Sequence, residues 1–110
     1  MAEALLRSFR ESPRRVRMVA SMIRGKKVHE ALAVLRFQPR KAARMLTKVL
    51  NSAVANAEAN EDADADKLIV TRVDVDGGPV QKRWMQRSMG RANRMTRRTS
   101  HVKVVVDVTE

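Results

Sequence analysis

The sequence predicts an α+β fold: three helices packed on a small antiparallel three-stranded sheet, with a long β-hairpin arm that protrudes from the domain. Two segments rich in β-branched residues, 68–76 and 101–108, are typical of strands. The polar stretch 77–100 between them is too long for a tight turn, which favours an extended hairpin. Ahead of these strands, apolar residues recur at helical spacing in three separate segments.

A chain of 110 residues is long enough for one domain with a modest core. We expect residues 1–78 and 101–110 to form its globular part and residues 79–100 to form the arm. The hairpin turn is predicted near residues 88–93, where Gly90 and Asn93 can take positive φ. Because an isolated two-stranded ribbon is only marginally stable in water, a partner should order the arm.

The first strand is predicted over residues 2–10. Ser12 followed by Pro13 is typical of a helix start, with the proline at the first helical position, and Gly25 is a typical stop. The first helix should therefore run from Pro13 to about Arg24. On the expected helix, four arginines lie off the apolar stripe and should face outward: Arg14, Arg15, Arg17 and Arg24.

A second helix is predicted from Val28 to Gln38, since the residue before Pro39 is disfavoured in helical conformation. Pro39 should open the third and longest helix, which continues to about Asn60 and forms the main core element. The acidic segment 58–66 after it should be a loop that faces away from any polyanion. The predicted core comprises Val19, Ile23, Leu32, Leu35, Leu46, Val49, Leu50, Val54, Val70 or its neighbours, Val104 and Val106.

Charge points to nucleic acid as the partner. Lys and Arg number 23 against 12 Asp and Glu, a net charge of +11, and residues 81–98 hold seven cations and no acid. Such a run repels itself unless a polyanion neutralises it. The candidate RNA-binding residues on the globular part are Arg7, Arg10, Arg14, Arg15, Arg17, Arg24, Lys26 and Lys27.

Other classes of function are disfavoured. The sequence has no phosphate-cradling Gly-rich loop before a helix and no nucleophile elbow, and the acids of segment 58–66 have no histidine nearby, so we expect neither an enzyme nor a cofactor. His29 and His101 are the only histidines and there is no cysteine, so we expect no metal site. No stretch is apolar for long enough to cross a membrane, and a membrane-active protein is disfavoured because the helices have ordinary core-sized stripes.

Two side chains of the arm region have alternative interpretations. Trp84 either packs across the strands, on Met95 or another neighbour, or stacks on an unpaired base. His101 is expected to form a hydrogen bond near the root of the arm, and it is also a candidate for RNA contact.

Several segments resemble the family of bacterial-type large-subunit ribosomal protein twenty-two. They are the segments at 12–17 (SPRRVR), 23–28 (IRGKKV), 55–58 (ANAE), 90–92 (GRA) and 98–102 (RTSHV). The resemblance covers essentially the whole chain in the right order. It implies a cytoplasmic ribosomal protein bound to large-subunit ribosomal RNA and to neighbouring ribosomal proteins. The arm residues that it places on RNA are Lys82, Arg83, Arg87, Arg91, Arg94, Arg97 and Arg98.

The same resemblance implies that the tip of the hairpin lines the polypeptide exit tunnel and meets the nascent polypeptide. The residues that would form this tip are Trp84, Met85, Ser88, Met89 and Gly90. The alternative from another class is a DNA-binding architectural protein with a β-ribbon arm. Such arms normally work as symmetric pairs, whereas this chain shows no obvious dimer seam and is expected to be monomeric when free.

Overall fold

The computed structural model describes the backbone of residues 2–86 and 92–108 and the side chains of residues 2–80 and 98–108. A first strand is followed by three helices and then by two long strands. The elements are β1 (Ala2–Phe9), α1 (Pro13–Ala20), α2 (Val28–Arg36), α3 (Lys41–Glu61), β2 (Leu68–Gln86) and β3 (Ala92–Val108), with a short 3-10 turn at Ala65–Lys67. The predicted α+β class, with three helices and a three-stranded antiparallel sheet, is confirmed.

Strand β3 lies at the centre of the sheet, with β1 on one side and β2 on the other. Strand β1 pairs with β3 from Ala2–Val106 to Phe9–Ser100, and its register shifts between Leu6 and Phe9, where Ser8 takes a φ of 55°. Strand β2 pairs with β3 from Leu68–Val108 to Gln86–Ala92. The pairing of β2 with β3 is irregular at one further point, where the register shifts between Gly77 and Val80.

The hairpin turn was expected to include Ala92 and Asn93, which the structure places inside β3. Antiparallel pairing up to Gln86–Ala92 explains the difference, because these residues take part in the ladder. The other members of the predicted turn lie outside the described residues: Ser88, Met89, Gly90 and Arg91. The predicted RNA contact Arg87 lies outside them too.

Helix α1 is shorter than predicted, ending at Ala20 instead of Arg24. Beyond it the chain tightens into i→i+3 hydrogen bonds, in which the N–H groups of Met22 and Ile23 donate to Val19 and Ala20. Gly25 then takes a φ of 77° and donates its N–H to the carbonyl of Val70 at 2.8 Å. The turn after α1 therefore ends in a backbone bond to β2, at the glycine that the sequence predicted as the stop.

The expected start of α3 at Pro39 is wrong by two positions. Arg40 is the N-cap residue in extended conformation, and the helix begins at Lys41. Helix α3 also takes in Glu58 and Glu61, which were expected in a loop, and it ends where Asp62 adopts left-handed backbone (φ 49°, ψ 31°). Aspartate is among the residues that tolerate this conformation, so the turn needs no glycine.

The core lies between the helices and one face of the sheet. Helix α3 packs mainly on β1 and β3, α1 packs on β2, and α2 packs on α3. Most of the predicted core is confirmed as buried: Val19, Ile23, Leu35, Leu46, Val49, Leu50, Val70, Val104 and Val106. Leu32 and Val54 were wrongly placed in it, because each is only partly buried at the rim of its helix contact.

Side chains cover the free edges of the sheet. On the β2 edge, Arg17 donates from Nε and Nη2 to the carbonyl of Val75 at 3.1 and 3.0 Å. Arg24 does the same to the carbonyl of Val73 at 3.1 and 2.7 Å. On the β1 edge, the Asn56 amide donates to the carbonyl of Glu3 at 3.0 Å. These bonds occupy carbonyl groups that would otherwise be available to another strand.

Candidate RNA-binding surface

Five cations form a ridge along the free edge of β2: Arg14, Arg17, Arg24, Lys26 and Lys27. We call this set the edge cations. All five are exposed, and they come from α1 and from the turn that follows it. The turn is fixed to β2 because the Val70 N–H donates to the Lys26 carbonyl at 2.9 Å and Lys27 bridges to Ile69. The ridge is therefore held in place by backbone bonds, and its charges do not depend on a flexible loop.

The edge cations differ in whether their side chains form hydrogen bonds within the protein. Arg17 and Arg24 were predicted to point simply outward, and this is wrong in part, because their guanidinium groups hold β2 through Val75 and Val73. Arg14 and the two lysines have no such bond among the described residues. Arg15, on the neighbouring side of α1, pairs with Glu11 at 3.3 Å and lines a cleft of about 370 Å³ with Arg40 and Lys41.

A second group of cations surrounds the point where the helices end and the β2–β3 ribbon continues. Arg7 and Arg10 are exposed at the end of β1, and Arg98 is exposed on β3 opposite Val80. The register brings Phe9, Ser100 and Gly77 side by side across the three strands at this level. We call this level the root of the ribbon, and cations at the end of β1 and on the central strand β3 lie beside it.

Three consecutive residues of β3 fasten the root. Thr99 donates its hydroxyl to the carbonyl of Pro79 at 2.7 Å, and the fully buried Ser100 donates to the carbonyl of Glu11 at 2.7 Å. His101 Nδ1 accepts the N–H of Ser8 at 3.0 Å, so the predicted hydrogen bond near the root is confirmed. These bonds tie β3 to the bulge of β2, to the loop before α1 and to the end of β1. The direction of the ribbon is thus set by the root.

The N-termini of helices α1 and α3 carry positive charge, which the helix dipole disfavours at that end. Neither α1 nor α3 has an acid in its first turn, and each begins instead beside arginine or lysine: Arg14 and Arg15 in α1, Arg40 and Lys41 at α3. Cations at a helix N-terminus oppose the macrodipole, usually by a few tenths of a kcal/mol each, roughly 0.3–1. Placement of this kind is unfavourable for the isolated protein and favourable beside a polyanion.

The ribbon beyond the root carries the remaining predicted contacts. The backbone positions of Lys82, Arg83, Trp84 and Met85 lie in β2, and those of Arg94 and Arg97 lie in β3. The register sets Trp84 opposite Arg94 and Arg83 opposite Met95, so Met95 is not the direct cross-strand partner of Trp84. The side chains of these residues lie outside the described set.

Other kinds of site receive no support from the described residues. Within residues 2–86 and 92–108, no group of three or more His, Asp or Glu side chains is arranged to hold a metal ion. His29, in α2, places its Nε2 2.6 Å from Asp66 Oδ1 at the exposed surface, so the expectation that segment 58–66 has no histidine nearby is wrong. No helix in the described part of the chain is long and apolar enough to cross a membrane.

Comparison with known proteins decides the family. The family model described as ribosomal protein L22p/L17e matches residues 4–107. The chain belongs to this family. It is 56% identical over 105 residues to the large ribosomal subunit protein uL22 of Desulforamulus reducens, covering 96% of this chain and 93% of the relative. It is also 56% identical to the protein of that name from Desulfitobacterium hafniense, covering 96% and 92%, and 49% identical to that of Geobacter sulfurreducens, covering 96% and 95%.

Membership of a ribosomal protein family confirms the resemblance seen in the sequence and agrees with the expected lack of enzyme activity. It also decides against the alternative of a DNA-binding architectural protein. The family match spans the edge cations, the root and both strands of the ribbon, so all the candidate contacts lie inside it.

The structure adds features that sequence reasoning missed. Thr99 and Ser100 had been noted only as part of a motif, and their fastening role at the root could not be read from spacing. Phe37 is 81% exposed at the end of α2, next to Arg36. Its position off the apolar stripe of Val28, Ala31 and Leu35 was visible in the sequence and could have flagged it.

Two glycines of the root offer a matched test of this fastening. A Cβ added to Gly78 would lie 2.6 Å from Thr99 Oγ1 and 3.2 Å from His101 Cε1, whereas one added to Gly77 would meet nothing within 4 Å. We expect Gly78→Ala to destabilise the free protein by about 1–3 kcal/mol, because Thr99 must move and lose its bond to Pro79. Gly77→Ala should stay within about 0.5 kcal/mol. Urea unfolding of both variants measures this, and equal values would contradict a tightly packed root.

Proposed function

We propose that the protein is a structural constituent of the large subunit of a bacterial-type cytoplasmic ribosome, where it binds large-subunit ribosomal RNA. The observation that carries this proposal is the family match over residues 4–107, together with relatives named as proteins of the large ribosomal subunit. The globular part and the ribbon both lie within the match. The proposed partners are therefore the RNA and neighbouring ribosomal proteins.

The proposed RNA contacts fall into two sets. The first set is the edge cations together with Arg7, Arg10, Arg15, Arg98 and His101, which surround the root. The second set is the cations of the ribbon: Lys82, Arg83, Arg87, Arg91, Arg94 and Arg97. Because the first set is spread over a helix, a turn and two strands, it suits an irregular folded RNA better than the regular groove of a duplex.

The ribbon is proposed to act as an arm formed by residues 79–100. Its support is the continuous pairing of β2 with β3 up to Gln86–Ala92, well past the root. The longest dimension of the chain, 63 Å, is comparable to the roughly 60 Å that the residues of β2 span at the rise of a strand. The part of β2 that belongs to the arm, residues 79–86, spans roughly 26 Å at that rise. The arm can therefore reach RNA that the globular part cannot touch.

The tip of the arm is proposed to line the polypeptide exit tunnel and to meet the nascent polypeptide. This assignment rests on family membership and on Trp84 and Met85, whose backbone lies near the last described residue of β2. The proposed tip also includes Ser88, Met89 and Gly90, which lie outside the described residues. Outside the ribosome we propose a monomer. Support comes from Arg17, Arg24 and Asn56, whose bonds occupy backbone groups on both sheet edges.

A photoreactive residue at position 89 tests both parts of the function in one experiment. The full-length variant is expressed in cells, large subunits are purified by sedimentation, and ribosomes stalled on a nascent chain are irradiated. We expect the variant in the large-subunit fraction and a covalent adduct between position 89 and the nascent chain. The matched control carries the same residue at Glu58, in the acidic last turn of α3, and should give no such adduct.

Incorporation into the large subunit and adduct formation with the nascent chain test different parts of the proposal. A variant that stays out of the large-subunit fraction, while the Glu58 control enters it, shows that the tip is required for assembly. Exclusion of both proteins, and of the unmodified chain, would refute the large-subunit assignment. Incorporation without a nascent-chain adduct would refute only the tunnel assignment.

A further inference from the structure

An aromatic ring stands exposed at a fixed point of the backbone. Phe37 caps the C-terminus of α2 with φ −92° and ψ 0°, and its side chain is 81% exposed. Its N–H donates to Val34 at 3.3 Å and that of Gln38 donates to Leu35 at 3.2 Å, so the last turn is held. The backbone at Phe37 is therefore held outside the core, and its ring exposes apolar surface that burial would stabilise.

Cations surround this ring. A cleft of about 660 Å³ opens between the end of α2 and the first half of α3, and its lining includes Arg36, Phe37, Arg44 and Lys48. None of the residues that line it is acidic. Among the described residues, no ion pair is formed by Arg36, Arg44 or Lys48, and the Thr47 hydroxyl is occupied by its bond to the Ala43 carbonyl at 2.8 Å.

The arrangement of these cations is unfavourable in the free protein. Arg44 and Lys48 lie one turn apart on α3, and like charges at that spacing destabilise a helix. An anionic occupant of the cleft would remove this repulsion. The other basic cleft, lined by Arg15, Arg40 and Lys41, also contains the carboxylate of Glu11 and no aromatic residue. Of these two basic clefts among the described residues, the one at Phe37 combines cations with an exposed ring.

We propose that the α2–α3 cleft binds an unpaired nucleotide of the RNA, with its base stacked on Phe37 and its neighbouring phosphates beside Arg36, Arg44 and Lys48. A phosphate alone needs no ring, and a duplex keeps its bases stacked inside, whereas an unpaired nucleotide offers both a planar base and a charged backbone. The inference rests on the proposed RNA-binding function. It adds a third contact surface, separate from the edge cations and from the ribbon.

Three variants of the full-length protein test the stacking: Phe37→Ala, Phe37→Leu and Phe37→Trp. Affinity is measured against transcribed large-subunit ribosomal RNA over a range of salt concentrations. We expect Phe37→Ala and Phe37→Leu to weaken binding roughly five- to a hundredfold, since the leucine keeps apolar area but loses the ring. The slope of log affinity against log salt should not change, and Phe37→Trp should bind like the unmodified protein.

A charge variant and a spectroscopic probe complete the test. Arg44→Gln with Lys48→Gln should reduce the salt slope, because those residues are assigned to phosphates. A short single-stranded RNA containing 2-aminopurine should lose fluorescence on binding the unmodified protein and lose less on binding Phe37→Leu. Melting temperatures of the three Phe37 variants should match that of the unmodified chain, since the ring is exposed.

Several results would overturn the inference and leave the proposed function intact. Unmodified protein that binds RNA while Phe37→Ala binds equally well at every salt concentration would remove the ring from the RNA interface. Full affinity in Phe37→Leu alone would replace stacking by simple apolar contact. Normal RNA affinity of Phe37→Ala, with loss of one neighbouring protein from purified subunits, would assign the cleft to a protein partner. Failure of the unmodified chain to bind RNA would instead refute the proposed function.

Discussion

Replacing Arg14, Lys26 and Lys27 together by glutamine should lower the affinity for large-subunit ribosomal RNA on the order of a hundredfold at 0.1 M salt. These side chains are exposed, and none of them holds the fold. If each neutralises about one phosphate, the slope of log affinity against log salt should fall by roughly two to three units. Arg17 and Arg24 are left unchanged because they fasten the edge of β2.

The matched control removes three positive charges from residues outside the set of edge cations. Glutamine at Lys67, Arg72 and Lys103 gives the same net charge, and Arg72 and Lys103 pair with Asp74 and Glu3 at 3.1 Å. Because Arg72 and Lys103 are already paired with acids, the loss of these three cations should have a much smaller effect on both affinity and slope. Filter binding over a salt series measures both variants. Equal losses would show that net charge, and not the ridge of edge cations, determines binding.

Leu50→Ala should destabilise the free protein by about 2–5 kcal/mol. Leu50 lies in the middle of α3 and is fully buried, in the same core as Val104 and Val106 of the sheet. Truncation removes apolar contacts and leaves a cavity that the surrounding elements only partly fill. For a domain of this size, where total stability is roughly 5–15 kcal/mol, a loss of this kind should lower the melting temperature by about ten degrees or more.

Asn51→Ala is the control for this variant. It changes the next residue of the same helix, which is exposed, and should shift the free energy of unfolding by less than about 0.5 kcal/mol. Urea unfolding followed by circular dichroism measures both. A value for Leu50→Ala as small as that of Asn51→Ala would show that α3 does not build the core.

Sequence patterns predicted the fold well where burial is periodic. The stripe of α3 and the alternation of Val102, Val104 and Val106 placed the core correctly, because both follow from one buried face per element. Boundaries failed where tertiary bonds compete with local preference. The bond from Gly25 to Val70 ends the segment after α1, and Leu32 and Val54 lie at the rim of contacts whose extent periodicity does not encode.

The sequence predicted that the candidate site is basic. It did not predict which of the basic side chains hold the fold and which stay available to RNA. A run of arginines predicts a basic face, but nothing in residues 12–17 indicates that Arg17 reaches the Val75 carbonyl while Arg14 stays free. The fastening of the root by Thr99, Ser100 and His101 likewise depends on which strands meet there. Such roles arise from contacts between residues far apart in the chain, which single-sequence patterns do not contain.

A density map of large ribosomal subunits purified from the source cells tests the central claim most directly. The account predicts density for this chain with RNA phosphates beside Arg14, Lys26, Lys27 and Arg98, and with the ribbon formed by β2 and β3 extending into the RNA. Subunits that lack the chain, or that hold it with these cations facing solvent, would contradict the claim.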